Sequence, residues 1–290
     1  MEAISLPPTS HVRRTSTRRH PLASSGPAPH PGTLVANVWR HRELLWHLTI
    51  RNLRCQYKQS VLGYGWILLN PAVQILTLTF LFSVVLRTPS NGVPFPLFLC
   101  VGLIPWMYFI SAVMAATDSV SSAPNFVTTV YFPREILPVS AVLMRVVDMA
   151  AGLVVVFGVL LFYGYGVGWT AGWIPVLFLG QLALGLGLGL PLAALNLYFH
   201  DIRFLVGTAL NVWFFLTPVM YPPEIVPEQY RFLVALNPNA WLLGAYRTAL
   251  IDGTSPSAET LLWTAGTSFA VLAVGYWVFK RMEPGFADSI

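Results

Sequence analysis

"MAAGLVVVFGVLLFYGYGVGWTAGWIPVLFLGQLALGLGLGLPLAALNLYFH", residues 149–200, contains no Asp, Glu, Lys or Arg. A helix needs roughly 20 apolar residues to cross the hydrocarbon core of a bilayer, so this run is too long for one crossing. "GYGVGWTAG", residues 164–172, supplies a turn within it, because closely spaced glycines interrupt a helix. The stretch reads as a membrane hairpin, with crossings at about 138–163 and 173–198. "HDIR", residues 200–203, closes it on the polar side.

The same test, applied outward, finds further crossings. No charge lies between Lys58 and Arg87 or between Arg87 and Asp118, which gives spans at 66–86 and 95–117. Residues 204–221 make a fifth, and 261–280, stopped by Lys280 and Arg281, a sixth. The expected fold is an all-α polytopic membrane protein with six transmembrane helices. Composition agrees, since the chain is 55% hydrophobic and only 10% charged, against about 25% charged in soluble domains.

Charge placement sets the orientation. Six crossings put both termini on one side. With the termini inside, the inner segments carry thirteen Lys and Arg: nine before the first span, then Arg134, Arg203, Lys280 and Arg281. The outer segments carry Arg87, Arg231 and Arg247. The positive-inside rule therefore selects cytoplasmic termini, and it accounts for the net charge of +5 without nucleic acid. The pair Arg13-Arg14 is not followed closely by an apolar core of 7–15 residues, so no cleaved signal is expected. Cys55 sits in a basic segment and Cys100 in an apolar run, which implies no disulfide framework.

Residues 1–33, rich in Ser, Pro, Arg and His, read as a disordered cytoplasmic tail. Residues 34–62 read as an N-terminal amphipathic interfacial helix. Trp46, Ile50, Leu53, Tyr57 and Val61 recur at helical spacing, and His47, Arg51, Arg54 and Lys58 repeat it one residue around. An apolar stripe beside a basic one suits a helix lying flat among lipid headgroups. The transmembrane domain fills 63–290. Its outer segment 222–250 alternates prolines with two apolar stretches too short to cross, which fit short re-entrant helices or an ordinary outer loop.

Sites of chemistry are sparse. The six His are scattered and no metal constellation is present. Lys58 follows Tyr57 and Lys280 follows Phe279, so the Gly-Lys-Ser/Thr of a phosphate-binding loop is missing. Any ATP used must be hydrolysed by another polypeptide. Inside the third span Arg145 and Asp148 stand at i, i+3. They are either a structural ion pair or, as intramembrane charges, a gating or substrate contact. Gly185 and Gly189 form a G-x-x-x-G that allows close helix approach. Pro105 should kink the second span near Trp106, Tyr108 and Phe109, rings that either line a path for sugars or face lipid. Trp66, at the start of the first span, is a further path candidate.

Three stretches carry a family resemblance. "RNLRCQYKQSVLGYGWILLNP" (51–71), "VYFPREILP" (130–138) and "LTPVMYPPEIVPEQYRFLVALNP" (216–238) resemble, in order and spacing, the type-2 ABC exporter permeases of the branch that exports lipid-linked polysaccharides, such as O-antigen, teichoic acid, capsule or galactan. The resemblance covers about residue 34 to the C-terminus. It implies a homodimer in the bacterial cytoplasmic membrane that recruits two copies of a separate ATPase subunit. No cofactor is then bound by this chain, and ATP and Mg reside on the partner. It implies that loop 119–137 contains a coupling helix, with Tyr131, Phe132, Pro133, Arg134 and Glu135 at or near the ATPase contact. The interfacial helix becomes a gate helix, on which Arg51, Arg54 and Lys58 bind the anionic linker of the glycan or anchor to anionic lipid. Other classes fit less well. The YFPREILP loop and the Pro-rich outer segment favour polysaccharide over the alternative of a drug or lipid exporter from another type-2 branch. A membrane transferase on polyprenyl-linked sugars needs catalytic carboxylates, and the acids here show no paired spacing. A proton-driven carrier usually shows titratable relays inside its spans.

Overall fold

The computed structural model describes residues 31–57, 62–87, 92–123 and 132–288, and all regular structure among them is helical. Two N-terminal helices, α1 (Pro31–Arg40) and α2 (Arg42–Tyr57), precede α3 (Trp66–Thr79), whose last turns loosen into a π-helical segment, Phe80–Val85. Next come α4 (Phe95–Ser119), then α5 (Ile136–Met144) and α6 (Val146–Phe162), which are one crossing interrupted at Arg145. The hairpin partner α7 (Ile174–Tyr198) follows, then α8 (Ile202–Leu216), the short α9 (Arg231–Ala235), α10 (Pro238–Leu250) and α11 (Ala258–Met282).

Among the described residues, five helical stretches are long and apolar enough to cross a membrane: 63–85, 95–119, 136–162, 169–198 and 258–286. The sixth expected crossing is shorter than 204–221 suggested. Helix α8 has 15 residues, about 22 Å at 1.5 Å per residue, and a hydrocarbon core is about 30 Å thick. The cause is local. Pro218 has no N–H and pushes the preceding residue out of the helical region, and Thr217 is extended at ψ 133°. From there the chain runs on irregularly, yet Thr217, Val219 and Met220 are buried.

Helix α7 is the hub, packed against α4 on one side and α11 on the other. Its Gly-Leu alternation explains why. At about 100° per residue, positions 185 and 189 share a face and 187 points away from it. Gly185 and Gly189 lie against Ala112 and Ala116 of α4, while Gly187 meets the backbone of Val271 and Leu272 in α11. A Cβ at 187 would sit 2.6 Å from the Leu272 nitrogen, so the two helices cross backbone to backbone. Small residues are what permit such approaches in lipid.

The N-terminal region is two helices meeting at His41 rather than one unbroken helix over 34–62. Helix α2 packs on α5, and its buried residues are Leu45 and Leu48, a face absent from the expected stripe. Trp46, which heads that stripe, is 65% exposed and remains available to lipid. Arg51 and Arg54 are exposed as well.

Helix α10 is deeply seated against α4, α7 and α11. Asn237 caps its start by accepting from the Asn239 N–H at 3.1 Å, and the Asn237 side chain donates to Thr217 Oγ1 at 2.8 Å. Gln181 of α7 donates both to Asn239 Oδ1 (3.2 Å) and to the carbonyl of Pro105 (3.3 Å). Arg247 is buried and donates to the carbonyls of Pro218 and Val219, each at 2.7 Å, with its guanidinium 3.7 Å from the centre of the Phe98 ring. These bonds satisfy the irregular backbone that follows α8, the condition under which such backbone persists away from water.

Candidate functional site

Besides the network around α10, two polar features interrupt the apolar bundle. The first is built on the residues just before α5. Glu135 has no exposed surface, and a carboxylate in that position must be paired. Its Oε2 accepts from Lys280 Nζ at 2.7 Å, and Oε1 accepts from Asn37 Nδ2 at 2.8 Å and from the Tyr276 hydroxyl at 3.5 Å. Lys280 also reaches Glu283 at 2.8 Å. Arg134 donates to the Glu283 carbonyl at 2.7 Å and lies over the Phe286 ring at 5.5 Å. One short segment thereby ties together α1, α5 and the end of α11.

The arrangement differs from what the loop sequence suggests. A Glu beside an Arg, bracketed by prolines, reads as surface charge, but the Glu135 carboxylate points inward. Phe132, Pro133 and Arg134 are half-buried and keep an accessible surface. Tyr131 lies outside the described residues, as do residues 124–130 of loop 119–137. The sequence marks Lys280 only as the stop of the last span and gives no sign of Asn37 or Tyr276 as neighbours of Glu135.

The second feature lies deeper. Arg145 Nη1 and Asp148 Oδ2 form the expected ion pair at 3.2 Å. Arg145 occupies the interruption between α5 and α6, with φ −71° and ψ −11°. The pair borders a cleft of about 160 Å³ whose other polar walls are Gln56, Asn70, Tyr108 and Ser111, with Trp66 at its side. A second cleft of about 520 Å³ shares Gln56 and Arg145 with it and reaches Arg51 and Asp118. Together they trace a polar line from the end of α4 into the bundle.

The aromatic path candidates divide. Trp66 (45% exposed) and Tyr108 border the smaller cleft. Trp106 and Phe109 are buried in a cluster with Trp213 and Phe214 of α8, with ring centroids 5.4–6.3 Å apart, so they neither line that cleft nor face lipid. Among the linker candidates, Arg51 borders the larger cleft, Arg54 borders neither, and Lys58 lies outside the described residues.

With this geometry in place, comparison with known proteins adds a family. Residues 43–251 match the family described as ABC-2 type transporter. The chain is 34% identical to the O-antigen export system permease protein RfbA of Myxococcus xanthus, over 89% of this chain and 99% of that protein. It is 28% identical to a protein of the same name from Klebsiella pneumoniae, over 86% and 95% of the two chains. It is 22% identical to the polysialic acid transport protein KpsM of Escherichia coli, over 83% and 94%.

Proposed function

The chain belongs to the ABC-2 type transporter family, and from that premise we propose that it is the permease subunit of an ATP-driven exporter of a lipid-linked polysaccharide in a bacterial inner membrane. The observation that carries this is the similarity, across nearly the full length of each relative, to proteins named for O-antigen export and polysialic acid transport. With no phosphate-binding loop in its sequence, the permease relies on a separate ATPase subunit for hydrolysis. Two copies of each subunit make up the exporter, with Mg-ATP on the partner, and both termini of this chain are cytoplasmic.

In this mechanism the ATPase docks on the loop that ends at Phe132, Pro133 and Arg134. Glu135 acts from behind that surface: its carboxylate joins the loop to Lys280 in α11 and Asn37 in α1. A push on the loop then moves the last crossing and the N-terminal helices together instead of being absorbed by a flexible linker. The outer segment 222–250, held at depth by Asn237, Asn239 and Arg247, is a re-entrant closure of the outer face. Arg51, Arg54 and Lys58 draw the anionic linker of the glycan to the inner leaflet.

Co-expression with the ATPase of the same system, followed by purification in detergent and mass determination, tests the subunit assignment. A stable complex of two copies of each chain, with measurable hydrolysis, is the expected result. A chain that purifies without any ATPase partner refutes it.

A further inference from the structure

The cleft beside Arg145 brings an ion pair into an apolar bundle. Ionisable groups at such positions are costly, and where they occur they serve a pathway or a partner. Here the charges cancel: Arg145 faces Asp148 at 3.2 Å, and the remaining polar walls, Gln56, Asn70, Ser111 and Tyr108, are neutral. An anionic ligand gains little from a guanidinium already held by a carboxylate. An uncharged ligand rich in hydroxyls suits such a wall, because amide, carboxylate and guanidinium groups each offer planar donors or acceptors to neighbouring hydroxyls.

Two residues that border this wall also carry buried polar atoms. Arg145 Nε and the Tyr108 hydroxyl are buried and make no hydrogen bond among the described residues. Both atoms are closed off from solvent, so a ligand in the cleft meets the accessible parts of Asn70, Ser111 and the ion pair rather than these two. The flat indole of Trp66 stands at the side of the same cleft, 45% exposed.

We propose that this cleft, between α3, α4 and α6, is a binding subsite for one sugar unit of the glycan. Asn70, Ser111 and the Arg145–Asp148 pair hydrogen-bond its hydroxyls, and Trp66 offers a face for the ring. The proposal rests on the export role above and deepens it: the chain reads the sugar next to the lipid carrier as well as the carrier's phosphates.

The test uses the permease–ATPase complex in phosphatidylcholine nanodiscs. Undecaprenyl pyrophosphate is titrated with and without one N-acetylglucosamine, and the midpoint of ATPase stimulation is read for each. The sugar-bearing lipid should act at a concentration lower by about fivefold for each hydrogen bond gained. Asn70→Leu and Ser111→Ala should each remove about fivefold of that advantage while the midpoint for the bare lipid stays in place. A general folding defect moves both midpoints, so the two effects separate, and the wild-type comparison stands even where a variant fails to fold. Equal midpoints for the two lipids on the wild type overturn the subsite and leave a hydrated cleft. A preference untouched in the Asn70→Leu/Ser111→Ala double variant overturns it as well. No response to either lipid overturns the export role, and the subsite with it.

Discussion

Removing Lys280 should destabilise this protein more than removing its partner Glu135, although the two share one 2.7 Å ion pair. The reason is what each change leaves behind. Lys280→Met abandons a carboxylate with no exposed surface, still bonded only to Asn37 and Tyr276. Breaking a buried pair from one side costs about 3–5 kcal/mol. The second acid released, Glu283, is 21% exposed and adds little, since water reaches it. Glu135→Gln instead leaves Lys280 with Glu283 at 2.8 Å and keeps an amide in reach of Asn37. Its cost should be about 1–2 kcal/mol, the worth of a charged hydrogen bond reduced to a neutral one. In the double variant no fully buried carboxylate is stranded, so it should be more stable than Lys280→Met by about 2 kcal/mol, a coupling that residues in contact show and distant ones do not. Thermal melting of the four proteins, followed by size-exclusion chromatography in detergent, measures the order. Additive effects, or a Lys280→Met protein as stable as wild type, would show that the pair does not join α5 to α11.

Other substitutions probe the packing and the outer segment. Gly187→Ala should force α7 and α11 apart, because the new Cβ meets Leu272 backbone at 2.6 Å, at a cost of about 3 kcal/mol or more. Gly185→Ala, 3.5 Å from the Ala112 Cβ, should be neutral or stabilising by up to about 1 kcal/mol from helix propensity; equal melting of the two variants would refute the crossing geometry. Arg247→Met strips the partners from the Pro218 and Val219 carbonyls and should cost about 2–4 kcal/mol at 1–3 kcal/mol for each buried group left unmade. Unchanged melting of that variant would remove Arg247 as the anchor of the outer segment.

What could be read from the sequence was local. Charge-free runs place the crossings because a bilayer imposes a length on every one of them, and Arg145 finds Asp148 because i, i+3 neighbours on a helix always meet. The shortness of α8 was available in principle, since Pro218 stands inside the expected fifth span. The direction of Glu135 was not. Its partners Asn37, Tyr276 and Lys280 are 98, 141 and 145 residues away, and a lone acid in a proline-bracketed loop looks the same whether it faces water or a distant lysine. Trp106 and Phe109 were equally opaque. A helix apolar on every side, as α4 is, carries no periodicity to tell which face meets α8, which meets lipid and which borders a cleft. The face of α2 that meets α5 was hidden for a related reason, because Leu45 and Leu48 lie beside a second apolar stripe led by Trp46.

Transport itself is the most direct measurement. Inverted inner-membrane vesicles containing this chain and its ATPase would be supplied with a fluorescent lipid-linked glycan, and the share protected from an added glycosidase would be followed over time. The expected result is protection that grows with ATP, stops without the ATPase subunit, and falls in Glu135→Gln while hydrolysis continues. Glycan that stays accessible despite ATP hydrolysis by an intact complex would contradict the export role.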